Sequence, residues 1–287
     1  MACPRRTVGR AVAAVILLLG VLVSVSGDPV PGTARPAFAS YGISQHLGFD
    51  TCPPSISAMR AFWNHTPYWN FGLYIGGSDL ACRKPSKSWV GQVRKMGYEF
   101  MPLWVGPQAP CSRFRGRFSG NPATAYKQGR HEALAAYRSA VGLGLTATVN
   151  MPIIYDLEPF NTANGGCLNA TKRFVAGWVS QMHVAPAQKA GVYGSVCASG
   201  LRHYASLSPP PDFIDGAYWD RRPSTRDLAA GGCGVRAGTW AHHQRHKQFL
   251  GDRNETWNKI TLNLDRDCSD GPVYPGPNHL STAQGCV

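Results

Sequence analysis

Four carboxylates in this sequence follow segments whose apolar residues are typical of buried strands. The segment 153–155 leads into Asp156 and Glu158, which lie on one side of an extended chain, about 7 Å apart along it. Asp50 and Asp265 each follow another such segment. In a barrel of parallel strands, the carboxyl ends of the strands meet at one mouth, where active sites are found. We therefore predict that the four side chains converge there.

Clustered carboxylates are suited to cleaving a glycosidic bond. One carboxylic acid protonates the leaving oxygen, while another carboxylate activates water or stabilises positive charge. Burial and mutual repulsion raise the pKa of one acid, which keeps a proton available near neutral pH. Glu158, farther along its strand, is the predicted proton donor, and Asp156, Asp50 and Asp265 are the predicted accompanying acids. Retaining and inverting outcomes both remain open.

The alternative role for these acids is structural. A single aspartate at a strand end often caps a helix, binds backbone amides or pairs with arginine. That interpretation suits an isolated acid better than the Asp156–Glu158 pair. Asp267 lies two residues after Asp265 and competes with it for the position at the mouth.

Aromatic residues near the predicted strand ends are candidates for stacking on sugar rings. Trp104, Tyr193 and Trp219 are the predicted substrate-binding residues. The alternative is that each of them fills the hydrophobic core, which is the commoner place for a large aromatic side chain.

The densest basic cluster spans residues 242–247. His243 and His246 have a spacing seen in metal sites, but no carboxylate or cysteine pair adjoins them, so we predict a solvated cationic loop and no metal site. The sequence contains no P-loop, G-x-G-x-x-G, G-x-S-x-G or H-E-x-x-H motif, so we predict no cofactor. Basic residues are scattered rather than striped, and we predict no nucleic-acid partner.

Eight short β-rich segments predict the strands that position these residues, at 42–49, 71–75, 98–105, 149–155, 191–195, 213–219, 238–242 and 260–264. Helical patterns lie between the early ones, at 55–64, 86–96, 123–141 and 170–190. Several of the strands are nearly continuous apolar runs, which is typical of parallel strands buried on both faces. The predicted fold class is α/β, a TIM-type (β/α) barrel variant with helices after the first five strands and few or none after the last three.

Five segments match the pattern of a known family: Gly48-Phe49-Asp50-Thr51-Cys52, Tyr74-Ile75-Gly76-Gly77, Pro102-Leu103-Trp104-Val105-Gly106-Pro107-Gln108, Ile154-Tyr155-Asp156-Leu157-Glu158 and Gly191-Val192-Tyr193-Gly194-Ser195. In these segments the chain resembles the glycoside-hydrolase-like domain of secreted bacterial proteins called domain of unknown function 1906. That domain is related to the chalaropsis-type lysozymes of glycoside hydrolase family 25. The resemblance implies a β/α barrel in which Glu158 matches the proton donor. Near the last strands, segments 218–220 and 240–242 depart from the lysozyme motifs.

The N-terminus has the pattern of an export signal. Arg5, Arg6 and Arg10 precede the apolar run 11–25, and small residues follow it. The arginine pair also allows the twin-arginine route, and an uncleaved anchor is disfavoured because the run is shorter than the roughly 20 residues of a membrane span. We predict a signal peptide and linker at 1–39, one barrel domain at 40–287, and no stable membrane span after cleavage. The net charge of +13 then falls to +10, because residues 1–39 contain four arginines and one aspartate.

Eight of the nine cysteines lie after the predicted leader, and an even number behind an export signal predicts four disulfides in an oxidising compartment. The sequence does not determine their pairing.

Together, these patterns predict a secreted or cell-envelope glycosidase acting on a polysaccharide or peptidoglycan-type substrate, with an anionic cell-envelope polymer as a further expected partner. The alternative is a non-catalytic carbohydrate-binding or envelope-remodelling protein that retains the barrel.

Overall fold

The computed structural model describes residues 41–145, 149–230, 232–277 and 286. The predicted leader at 1–39 lies outside these described residues.

Eight strands close into a barrel, as the sequence predicts. They are β2 (Leu47–Asp50), β3 (Asn70–Gly76), β4 (Glu99–Trp104), β5 (Pro152–Asp156), β6 (Lys189–Ser195), β7 (Phe213–Ala217), β8 (Arg245–Trp257) and β9 (Ile260–Val273). Strands β2 to β8 pair in chain order and run parallel. Strand β9 runs antiparallel to both β8 and β2 and completes the closure. A short strand, β1 (Gly42–Ser44), pairs with the far end of β9.

Four long helices follow strands β2 to β5: α1 (Ile56–His65), α2 (Lys87–Met96), α3 (Pro122–Gly142) and α4 (Gly165–Met182). Each begins where a polar side chain accepts a backbone N–H of the first turn, from Ser55, Ser86, Asn121 and Asn164 respectively. The four-residue helix α5 (Leu201–Tyr204) follows β6, and a 3₁₀ helix (Thr225–Ala229) follows β7. None of the described helices has the length and apolar character needed to cross a membrane.

The predicted strand at 238–242 is wrong, because those residues form turns and β8 begins at Arg245. The Arg245 guanidinium donates hydrogen bonds of 2.6–3.2 Å to the carbonyl oxygens of Arg236, Ala237 and Thr239. These bonds stabilise the turns without strand pairing. The segment 238–242 therefore folds as turns that are held by the Arg245 side chain.

The prediction of a solvated cationic loop at 242–247 is wrong for residues 245–247, which are buried in β8, whereas His242 and His243 are exposed in the turns before it. His246 contacts Ser269 Oγ at 3.0 Å and the Pro272 carbonyl oxygen at 3.1 Å, and burial lowers its pKa to about 4. Lys247 Nζ lies 2.7 Å from Asp220 Oδ1 and 3.3 Å from Asp227 Oδ2. These polar side chains are buried because each has hydrogen-bond or ionic partners in the fold, so hydropathy alone predicts the wrong environment for them.

Two hydrophobic cores flank the sheet. The inner one fills the barrel with Met101, Leu103, Ile154, Phe213 and Val273. The outer one lies between the strands and the helices and is much larger. Strand residues alternate between these two cores, which is why both faces of the parallel strands are apolar.

All eight described cysteines form disulfides, which confirms the predicted count and establishes the pairing: Cys52–Cys82, Cys111–Cys167, Cys197–Cys233 and Cys268–Cys286. Each of the first three joins the connections that follow two neighbouring strands, β2 with β3, β4 with β5, and β6 with β7. Disulfides of this number are typical of extracellular proteins.

Helices α3 and α4 approach closely through glycines. A Cβ added at Gly177 would lie 2.0 Å from the Tyr126 carbonyl oxygen, and one at Gly129 would lie 2.0 Å from that of Phe174. Neither contact can be relieved by rotating a side chain, because the obstructing atoms belong to the backbone. The outer wall of the barrel therefore requires glycine at these positions.

Gly177→Ala is expected to destabilise the protein by roughly 1–3 kcal/mol, because α3 and α4 must move apart. Gly91→Ala is the matched control, since a Cβ at that helical position meets no atom within 4 Å. It should be neutral or stabilise by up to about 1 kcal/mol through helix propensity. Urea unfolding with the disulfides intact measures both. Equal stabilities for the two variants would contradict the tight helix contact.

Candidate functional site

The four predicted acids converge at the carboxyl end of the barrel. Asp50 ends β2, Asp156 ends β5, and Glu158 follows two residues later. All three, with Asp265, line one cavity of about 290 Å³, here called the acidic cavity.

Asp265 reaches the mouth in a way that the sequence pattern does not predict. It lies within β9 rather than at the end of a strand, and its backbone is paired directly with that of Asp50. Because β9 is antiparallel, a residue in its interior lies beside the end of β2. The Asp252 backbone N–H donates a hydrogen bond to the Asp265 carboxylate, and burial raises the pKa of this acid.

Asp50 is held by two hydrogen bonds. The Tyr74 hydroxyl donates to its Oδ1 at 2.7 Å, and the Gln248 side-chain amide donates to its Oδ2 at 2.9 Å. Burial, followed by repulsion from Asp265, raises the pKa of Asp50 to about 7, although both hydrogen bonds favour the charged form. Asp50 is therefore close to half ionised at neutral pH.

Gln248 links Asp50 to two aromatic side chains. Its Oε1 accepts hydrogen bonds from the Tyr193 hydroxyl at 3.0 Å and from the Trp219 indole N–H at 2.9 Å. Because an indole nitrogen is only a donor, the bond from Trp219 requires oxygen at that position of the amide. The amide nitrogen of Gln248 must then face Asp50.

Asp156 and Glu158 are positioned through Gln108. The buried side chain of Gln108 donates to the Asp156 carbonyl oxygen and accepts the Glu158 backbone N–H, each at 2.9 Å. Burial, then repulsion from Glu158, raises the pKa of Asp156 well above its ordinary value. Glu158 is partly exposed, and burial and Asp265 raise its pKa as well. Both acids therefore hold their protons more tightly than in water.

Two further acids, Asp215 and Asp267, lie buried beneath the mouth. Burial, then the charge of Asp50, raises the pKa of Asp215 to about 8 and that of Asp267 well above its ordinary value. Within the described part of the chain, Asp215 Oδ1 and Asp267 Oδ2 have no hydrogen-bond partner. Sequence analysis misses Asp215, although a lone aspartate within the short strand Phe213–Ala217 is itself a signal of a buried polar site.

A second cavity of about 370 Å³, here called the aromatic cavity, adjoins the acidic one and shares Glu158 with it. Two of the predicted substrate-binding residues, Tyr193 and Trp219, line it. Trp219 is 56% exposed, and its ring lies over Gly251, where an added Cβ would be 2.0 Å from the indole. An exposed ring held flat against the backbone presents one free face.

The third predicted substrate-binding residue, Trp104, lies elsewhere. It is 9% exposed and packs in the outer core, where its indole N–H donates to Glu132 Oε2 at 2.8 Å. The structure thus brings Tyr193 and Trp219 to the mouth but not Trp104. As for metals, no group of three or more His, Cys, Asp or Glu among the described residues could hold an ion.

Comparison with known proteins gives one family. Residues 61–269 match the model of the Rv2525c-like, glycoside hydrolase-like domain. No curated protein matches the chain.

Among solved structures, an uncharacterised B. stearothermophilus protein is 13% identical with a TM-score of 0.52, covering 78% of this chain and 95% of its own. A family 25 glycosyl hydrolase from Bacillus anthracis is 12% identical with a TM-score of 0.49, covering 81% of this chain and 91% of its own. At such identities the similarity concerns the fold.

Because of the buried acids, we predict that the free energy of unfolding falls as pH rises. Their pKa values are raised on folding, so the native state binds more protons than the unfolded chain, and its advantage is lost as pH increases through about 7 and 8. Asp215→Asn should raise the free energy of unfolding at pH 8 by roughly 1–3 kcal/mol and have little effect at pH 4. Urea unfolding at both pH values measures this, with the exposed Lys95→Gln as control.

A wild-type protein that is equally stable at pH 5 and pH 8 would contradict the shifted pKa values.

Gln248→Leu is expected to raise the pKa of Asp50 by roughly one unit, because it removes a hydrogen bond to the charged form. Carboxyl ¹³C NMR of the Asp50 side chain as a function of pH measures the change. Tyr193→Phe is the control, since it removes a bond to Gln248 but none to Asp50. An unchanged Asp50 titration in Gln248→Leu would show that the amide does not stabilise the carboxylate.

Proposed function

This chain belongs to the Rv2525c-like, glycoside hydrolase-like domain family, and we propose that it is a secreted glycosidase that cleaves a cell-envelope polysaccharide by carboxylate acid/base catalysis. The observation that carries the proposal is the convergence of Asp50, Asp156, Glu158 and Asp265 in one open cavity. That cavity adjoins another whose wall includes an exposed tryptophan. An acid cluster beside an aromatic surface is suited to a sugar chain bound across the scissile bond.

Glu158 acts as the proton donor. It lies where the acidic and aromatic cavities meet, so a glycan spanning both places a glycosidic oxygen beside it. Its raised pKa favours the protonated form that a proton donor needs, and its partial exposure allows reprotonation from solvent.

Asp50 is the acid best placed to carry negative charge. Both of its oxygens accept hydrogen bonds from neutral donors, which orient the carboxylate and favour its ionised form. In this role Asp50 stabilises positive charge that develops on the sugar, or activates the attacking water. The pKa of Asp156, deeper in the barrel, is raised well above its ordinary value by burial and then by Glu158, which favours its neutral form, while Asp265 raises the pKa values of both Asp50 and Glu158.

The setting favours an envelope substrate. Four disulfides suit an oxidising compartment, and the predicted leader supplies the export route. The basic net charge favours contact with anionic polymers of the envelope. We therefore propose a peptidoglycan-type glycan as the substrate class, bound with one sugar ring against Trp219.

Glu158→Gln is expected to reduce glycan hydrolysis by roughly 10²–10⁴-fold, because it removes the proton donor and keeps the shape of the side chain. The measurement is the release of new reducing ends from purified envelope glycans, together with glycan affinity, which should be retained. Asp270→Asn is the matched control, since Asp270 lies opposite Arg245 in the β8–β9 ladder, at the end of β8 away from the mouth, and its carboxylate contacts His243. It should leave turnover unchanged.

If the wild-type protein binds these glycans but releases no reducing ends, the chain is a carbohydrate-binding protein and the enzymatic proposal is wrong.

A further inference from the structure

A third cavity, of about 590 Å³, lies outside the barrel mouth and has the opposite charge. Its lining includes Arg202, His203 and Arg236, with the hydroxyl side chains of Ser206 and Thr239. No carboxylate lines it among the described residues. We call it the cationic cavity.

Two fixed walls enclose this cavity. One is formed by α5 and the residues that follow it, and the other by the segment 234–239. The Cys197–Cys233 disulfide and a 3.0 Å hydrogen bond from Arg202 Nη1 to the Gly232 carbonyl oxygen join them. The second wall is held from behind by the Arg245 guanidinium, which binds three of its carbonyl oxygens. The cations are therefore presented by a preorganised frame.

The arginines of the cationic cavity have no carboxylate partner among the described ion pairs. His203 is partly buried, and burial together with Arg202 and Lys172 lowers its pKa. The described ion pairs include neither Arg202 nor Arg236. A bound anion would neutralise the positive charge of the two arginines and accept hydrogen bonds from their guanidinium N–H groups.

The cationic cavity is also next to the proposed site. Cys197 lines the aromatic cavity, and its disulfide partner Cys233 precedes Gly234 of the cationic cavity. The Cα atoms of the two cysteines are 4.9 Å apart. The disulfide therefore connects the wall of the aromatic cavity to the segment that lines the cationic cavity.

We propose that the cationic cavity binds an oxyanion substituent, a phosphate or a carboxylate, on the polymer whose glycan chain occupies the barrel mouth. The assignment of that polymer as a substrate rests on the proposed function, whereas the anion site itself does not. The protein would thereby select an anionic glycan over a neutral one, through contacts remote from the acids that perform the chemistry.

Binding of anionic polymers tests the site without requiring turnover. Poly(glycerol phosphate) and polygalacturonate supply the phosphate and the carboxylate, and dextran is the neutral control. The full-length protein carrying Glu158→Gln is titrated with each at 0.15 M and 0.5 M salt. We expect one anionic polymer to bind at least tenfold more tightly than dextran, and its identity distinguishes the two oxyanions. Equal affinity for all three polymers would overturn the proposal.

Variants of the cavity separate a site from general charge. Arg202→Ala with Arg236→Ala should weaken binding at least tenfold, whereas the exposed pair Arg60→Ala with Arg138→Ala, which removes the same charge, should change it less than twofold. Arg236→Glu keeps the Arg202–Gly232 bond and should be equally damaging. If both arginine pairs weaken binding alike, net charge alone explains the affinity and the proposal is wrong.

The imidazole of His203 provides a direct readout of occupancy. Its pKa, followed by ¹H NMR, should rise when the anionic polymer is added, because the bound anion offsets the effect of Arg202 and Lys172. An unchanged His203 titration at saturating polymer would place the binding elsewhere. If the wild-type protein binds the polymer at this cavity but hydrolyses none of it, only the proposed enzymatic function is refuted.

Discussion

Desolvation of carboxylates at one end of the barrel is the constraint on which the rest of the structure depends. Asp50, Asp156, Asp215 and Asp267 are all at least nine-tenths buried, and the charge of Asp50 raises the pKa values of the other three. Such a group is tolerated because the raised pKa values favour the neutral, protonated form of its members. The buried acids destabilise the folded state, and two hydrophobic cores and four disulfides offset this effect.

Closure by an antiparallel strand determines which acids meet. A parallel eighth strand would present only its carboxyl end at the mouth, whereas β9 passes the mouth in the reverse direction and places Asp265 and Asp267 at successive depths beside β2. The hairpin between β8 and β9 also replaces a helical connection. Within that hairpin, the buried Lys247 of β8 binds Asp220 and so holds the preceding segment, which carries Trp219. One interruption of the regular barrel thus supplies two acids and positions an aromatic surface.

Sequence reasoning succeeds where local periodicity and tertiary environment agree. The barrel and the positions of the acids at 50, 156 and 158 follow from apolar runs with abrupt polar ends. It fails at Arg245, His246 and Lys247, because buried charges with specific partners have the same hydropathy as exposed ones. The sequence does not distinguish the buried Trp104 from the exposed Trp219, because both lie where a strand ends. In the fold, Trp104 packs against α3 and donates to Glu132, whereas Trp219 is exposed. The role of Gln248 could not be predicted, because its partners Asp50, Tyr193 and Trp219 lie on three other chain segments that meet it only in the fold.

The three disulfides between neighbouring connections have an evolutionary consequence. Each spans 30 to 56 residues and joins the connections that follow adjacent strands. Loops anchored covalently do not need extensive packing to keep their positions, so the loop residues beside the cysteines can diverge with little penalty in stability. New specificities could therefore arise at the mouth while the barrel beneath remains unaltered, provided that the cysteines themselves are retained.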